Sequence, residues 1–232
     1  MIHSFLIIGQ SNMAGRGDIG EVPPIENGLC HVLRMGVWQP MSEPVSADRG
    51  SHAEFLPGVC PATGFADALA SHQGEHIGLI PCAYGGSGIK KWQPGGVLFD
   101  HAVMMAHLAQ RSSTLGGILW HQGESDCSHF DAAAYREAFL HTMTAFRREL
   151  GEDLLILIGE LSEHMGPRWE KMARNVPAMN KLLAELAVEL PNCRLVKAAD
   201  LECRSDGIHF SAASCRTLGV RYFEAYLDLA KA

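Results

Sequence analysis

The sequence predicts an α/β fold, a three-layer α/β/α sandwich on a central five-stranded parallel sheet, and three observations carry that expectation. Short apolar runs alternate with longer amphipathic segments along 232 residues. The runs are apolar at nearly every position, as strands covered on both faces are. Polar, glycine-rich blocks follow four of them, and open parallel sheets bind ligands where their strands end. Alternation of this kind implies right-handed crossovers with helices on both faces of the sheet.

The strands are predicted at residues 4–9, 76–83, 116–121, 153–161 and 194–199. The helical patterns between them cover 63–72, 100–111, 132–150, 169–190 and 212–229, with Pro177 starting or kinking part of the fourth. Residues 132–150 show the 3.6-residue period well: Tyr135, Phe139, Met143 and Phe146 share one stripe, which is read as core. Residues 15–61 are rich in Gly and Pro and weakly periodic, a long loop placed to wall a pocket. With no repeat, low-complexity tract or internal boundary, residues 1–232 read as one domain, a size that buries a single large core.

Composition excludes several classes of function. Lys plus Arg number 19 against 26 Asp plus Glu, a net charge of −7, and no basic block runs along the chain. Neither nucleic acid nor an anionic membrane surface is an expected partner. No apolar run approaches the roughly 18 residues of a membrane span. Met1 leads straight into the first strand without a secretory leader pattern, so a cytoplasmic location is expected. The seven cysteines are odd in number and contain no C-x-x-C pair, which reads as buried reduced thiols.

The chemistry lies at the strand ends. "GQSNMAG" (9–15) follows the first strand, "CAYGGSGI" (82–89) the second and "WHQGESD" (120–126) the third, while "SDGIHFS" (205–211) leads into the last helix. Nucleophilic acyl transfer needs this set of parts. A serine hydroxyl is a weak nucleophile until a histidine takes its proton, and the histidine is oriented by a carboxylate. The oxyanion needs donors already aimed at it, such as backbone N–H groups freed by glycines and a side-chain amide. Ser11 can supply the hydroxyl, Gly85 or Gly86 an N–H, Gln122 an amide, and Asp206 with His209 the carboxylate and imidazole.

These four blocks, in this order, resemble those of the SGNH (GDSL-like) hydrolases, and more narrowly the sialate O-acetylesterase and acetylxylan-esterase branch, in which the first block reads G-Q-S-N and the third carries Q-G-E. The match runs from residue 9 to 211. It implies a flavodoxin-like sheet and a serine esterase that removes acetyl groups from carbohydrates without a cofactor. It further implies Ser11 as nucleophile and oxyanion donor, Gly85 (or Gly86) and Gln122 as further donors, and Asp206 and His209 completing the triad. Gln10, Asn12 and Glu124 would support the site from behind. Two other readings use the same residues: acyl transfer to a sugar, or carbohydrate binding on an inherited fold.

Several patterns are read as bland. Asp126 and His129 repeat the spacing of Asp206 and His209, but His129 is expected at the surface. His121 reads as a packed strand-end histidine. No metal is expected, since His121, Glu124 and His129 do not form a helix-borne H-E-x-x-H. Residues 15–20 match G-x-G-x-x-G, yet Val22-Pro23-Pro24 follows where a dinucleotide site needs a helix. Trp38 and Trp92 fall in predicted loops and could stack on a sugar face.

Overall fold

A computed structural model of the chain describes residues 1–46 and 56–230. Among them the strands are β1 (Ile2–Gly9), β2 (Cys30–Arg34), β3 (Val37–Pro40), β4 (Ile77–Pro81), β5 (Ser113–His121), β6 (Leu155–Gly159) and β7 (Cys193–Val196). They form one sheet in the order β3-β2-β4-β1-β5-β6-β7. Every pairing is parallel except the antiparallel β2–β3 hairpin at one edge. β1 lies between β4 and β5, so the chain reverses its direction of travel across the sheet on either side of β1. That is where an open α/β sheet leaves a crevice.

The helices are α1 (Ser11–Ala14), α2 (Pro61–Gln73), α3 (Val97–Gln110), α4 (Glu124–Cys127), α5 (Ala132–Leu150), α6 (Glu170–Ala173), α7 (Val176–Glu189) and α8 (Ala212–Ala230). The alternation of β1 side chains sorts them into two layers. Phe5 and Ile7 pack with Phe65 of α2 and with Leu218 and Tyr222 of α8. Leu6 and Ile8 pack with Phe99 of α3, Phe139 and Phe146 of α5 and Leu183 of α7. Each of these side chains is nearly or wholly buried, and each contributes about 1.5–3 kcal/mol on leaving water. The stripe of Tyr135, Phe139, Met143 and Phe146 is buried as the period requires. None of the described helices is long and apolar enough to cross a membrane.

Two features differ from the sequence expectation. The sheet has seven strands because residues 15–61, read as a loop, contain β2 and β3; positions 47–55 of that stretch lie outside the described residues. The hairpin turns through Met35 and Gly36, both at positive φ (52° and 77°), the geometry of a two-residue turn that matches strand twist. Met-Gly is a faint signal for it, and a four-residue edge strand ending in Pro40 is fainter still. The second difference is the segment read as one helix at 169–190. It opens with a 3₁₀ turn (Pro167–Trp169), continues as α6, and restarts as α7 with Pro177 in its first turn.

Candidate active site

Gly9 ends β1 at φ +131°, and a Cβ there would stand 2.1 Å from the His121 carbonyl oxygen, so only glycine lets the two strand ends meet. The Gln10 N–H then donates to that carbonyl at 2.9 Å, and Ser11 opens α1. Among the described residues the Ser11 N–H finds no acceptor, as the first N–H of a helix does not. Ser11 therefore carries a hydroxyl and an uncommitted N–H at one place, with 8% of its surface exposed.

Asn12 joins the blocks on either side of that serine. Its Nδ2 donates to Glu124 Oε1 (2.7 Å) and to the Ile208 carbonyl (3.2 Å), and its Oδ1 accepts from the Phe210 N–H (3.1 Å). Ile208 and Phe210 flank His209. One buried amide thus holds the turn bearing Ser11 against the loop bearing the imidazole. The second block is tied to the first by Tyr84 N–H and Ser87 Oγ, which donate to the Gly9 carbonyl at 3.0 and 3.3 Å. All four blocks meet at one edge of the sheet.

Asp206 and His209 form a directed pair. His209 Nδ1 lies 3.0 Å from Asp206 Oδ2, while Oδ1 accepts from the backbone N–H groups of Ile208 and His209, both at 3.0 Å. Burial pushes the Asp206 carboxyl up, but the His209 side chain and these two N–H groups more than offset it, leaving the group well below the ordinary carboxylate range. An ionised carboxylate only accepts, so the ring proton sits on Nδ1 and Nε2 is the ring nitrogen that carries the basic lone pair. A depressed carboxyl adds stability that is complete above its unfolded pKa of about 4 and is lost as pH falls below it. Asp206→Asn is therefore expected to be less stable than wild type to urea at pH 7, with the gap narrowing at pH 3.

Gln122 is placed differently from the expectation that it donates to an oxyanion. It is fully buried. Its Nε2 faces Asp126 Oδ2 (2.5 Å), the Ser87 carbonyl (3.1 Å) and Gln10 Oε1 (3.3 Å), and its Oε1 accepts from Tyr135 Oη (3.0 Å). Three acceptors already compete for two amide protons, so the side chain fastens the blocks together instead of facing a ligand. Asp126 shares that work by accepting from the Ile89 N–H, whereas His129 is exposed beside Lys171 Nζ at 3.4 Å. The repeated spacing does not make a second pair. Gly85 is buried and Gly86 exposed at φ +67° in the turn after β4. His121 is buried against the Phe210 ring, as a packed strand-end histidine should be.

The two tryptophans expected to stack on a sugar do not reach this edge as platforms. Trp92 has no exposed surface; its ring packs edge-on against Trp120 and its Nε1 donates to Ser87 Oγ at 3.0 Å. Trp38 lies over Gly78 near the start of β4 and donates to Ser112 Oγ, at the opposite end of the sheet. The tryptophan that does touch the site is Trp169. It is half-buried, its Nε1 donates to the Asp206 carbonyl at 2.7 Å, and the Arg168 guanidinium sits 5.1 Å from its ring centroid. Beside it Gly166 N–H donates to the Gly207 carbonyl at 2.7 Å, so the segment leaving β6 straps the loop that carries Asp206 and His209. The sequence carries a signal for it: the fourth predicted strand also ends at this edge of the sheet, and its exit leads to Trp169. Trp169→Phe, which deletes the N–H and keeps an aromatic ring, is expected to lower stability by about 1 kcal/mol in urea titration.

The sheet order and the four cross-bonded loops define the class, that of the SGNH hydrolases. The chain belongs to the family described as "Carbohydrate esterase, sialic acid-specific acetylesterase", whose profile matches residues 1–228, and is a carboxylic ester hydrolase of the carbohydrate esterase kind. A probable carbohydrate esterase of Arabidopsis thaliana is 28% identical over 244 residues, covering 97% of this chain and 90% of its own length. A crystal structure from the same plant superposes with a TM-score of 0.80 at 27% identity, covering 97% of this chain and 98% of that one. The fold is also that of NanS (TM-score 0.77, 19% identity, 99% of this chain and 98% of that one).

Proposed function

We propose that the chain is a serine acetylesterase that removes O-acetyl groups from carbohydrates through a Ser11–His209–Asp206 triad. His209 Nε2 takes the Ser11 proton as Oγ attacks the ester carbonyl. The Ser11 N–H and an N–H of the Gly85–Gly86 turn receive the oxyanion. His209 then returns the proton to the departing sugar hydroxyl, leaving acetyl-Ser11. Water, deprotonated by the same imidazole, attacks that ester, and acetate leaves as Ser11 recovers its proton. Throughout, Asp206 keeps Nδ1 protonated and stabilises the transient imidazolium.

The observation that carries this reading is the Asn12 side chain, which bonds both neighbours of His209 while standing next to Ser11 in the chain. A fluorophosphonate probe is expected to label Ser11, located by peptide mass spectrometry, and acetate is expected from O-acetylated sialic acid or acetylated xylo-oligosaccharides. A protein that neither labels at Ser11 nor releases acetate from any of these would end the proposal.

A further inference from the structure

Beneath the Ser11 turn, two buried side chains face each other with polar atoms to spare. Glu124 is 1% exposed; Oε1 accepts from Asn12, and among the described residues Oε2 has no partner. His121, fully buried, places Nε2 3.7 Å from Glu124 Oε1, and that nitrogen too lacks a hydrogen bond. The ring's tautomer follows from its other side. Tyr222 Oη donates its proton to the Trp120 carbonyl at 2.8 Å, so at 3.4 Å it can only accept from His121 Nδ1. Nε2 is then a bare lone pair. At 3.7 Å it is too far for a direct hydrogen bond, yet it repels a carboxylate and favours a carboxylic acid.

Among the described residues, the titratable groups that interact with Glu124 supply no counter-charge. Asp126 and Cys127 come from Glu124's own turn, Tyr135 from α5, Tyr222 from α8 and Cys203 from the loop before His209. None is a cation, and burial pushes His121 down to about 3.

We propose that Glu124 is a positioning residue that works in its protonated form, holding Asn12 through Oε1 while keeping the floor of the active site uncharged. The reaction builds an oxyanion beside Ser11, and a second buried anion below it would oppose that charge in a medium of low dielectric. Burial raises the Glu124 carboxyl to about 7 against the pull of the Asn12 hydrogen bond and of its own backbone N–H, so it ionises near neutral pH. This inference rests on the esterase reading above.

Two measurements test it. The first follows the side-chain ¹³Cδ signals of ¹³C-labelled glutamates in the Ser11→Ala protein: one is expected to titrate near neutral pH and to vanish in a Ser11→Ala/Glu124→Gln protein. If every glutamate titrates near pH 4, the inference is overturned whether or not the wild-type protein cleaves esters. The second is the pH profile of aryl acetate hydrolysis. Wild-type kcat/KM is expected to fall roughly tenfold or more between pH 7 and 9, as the protonated fraction does. Glu124→Gln, neutral at every pH and still able to accept from Asn12, should lose that limb. Superimposable profiles for the two proteins would overturn the catalytic role. Absence of any wild-type turnover, with the near-neutral titration intact, would instead count against the esterase reading.

Discussion

Ser11→Ala is expected to lower kcat/KM for an aryl acetate by about 10⁴-fold or more while leaving the fold unchanged. In the proposed mechanism the substitution removes the attacking oxygen and with it the covalent route, so what would survive is water attack assisted by oxyanion donors and binding. The fold should tolerate it because the hydroxyl is not used as a helix cap: α1 carries no side-chain cap, and the backbone bonds from Met13 and Ala14 to the Gln10 carbonyl do not involve Ser11 Oγ. Circular dichroism and the urea midpoint should match wild type, and the fluorophosphonate label should disappear. Turnover within tenfold of wild type would remove Ser11 from the mechanism.

Asn12→Ala is expected to give the largest loss of stability among single changes at the site, about 3–5 kcal/mol. It breaks three hydrogen bonds and strands their partners: the Phe210 N–H, the Ile208 carbonyl and Glu124 Oε1. All lie in buried surroundings, where each group left unpaired costs roughly 1–3 kcal/mol. Activity should fall as well, because nothing else described ties the Ser11 turn to both neighbours of His209. Asn12→Asp separates the two effects. It retains the acceptor for the Phe210 N–H, and a protonated Glu124 can donate to the new carboxylate, so its loss of stability should be smaller than that of Asn12→Ala at and below neutral pH and grow as pH rises and the pair loses its shared proton. A urea midpoint for Asn12→Ala within about 1 kcal/mol of wild type would show that the blocks are held together elsewhere.

The sequence was most legible where one physical signal acted alone. Continuous apolarity marked β1, β4, β5, β6 and β7, and the 3.6-residue stripe of α5 was read with its observed bounds. The β2–β3 hairpin escaped because its turn uses Met35, a residue that seldom takes positive φ. α1 and α4, four residues each, are too short to show a period and are held by tertiary bonds. At the site, residue types at strand ends pointed to Ser11, Asp206 and His209, because acyl transfer admits few side chains in those roles. What those residues could not show was orientation. Gln122 has the composition of a donor, yet Asp126, Ser87 and Gln10 already claim its protons.

By itself, then, the sequence determined the five strands β1, β4, β5, β6 and β7, the four loops that meet at the edge of their sheet, and the residue types gathered there, since periodicity and chemical role are properties of the chain. Tertiary structure alone decided which polar groups face the cleft and which face one another. It turned Trp92 and Gln122 inward, brought Trp169 to the Asp206 loop, and buried Glu124 opposite a neutral histidine. The reason is physical: a hydrogen bond or a raised carboxyl depends on partners more than a hundred residues away in some cases, and no local pattern records their direction.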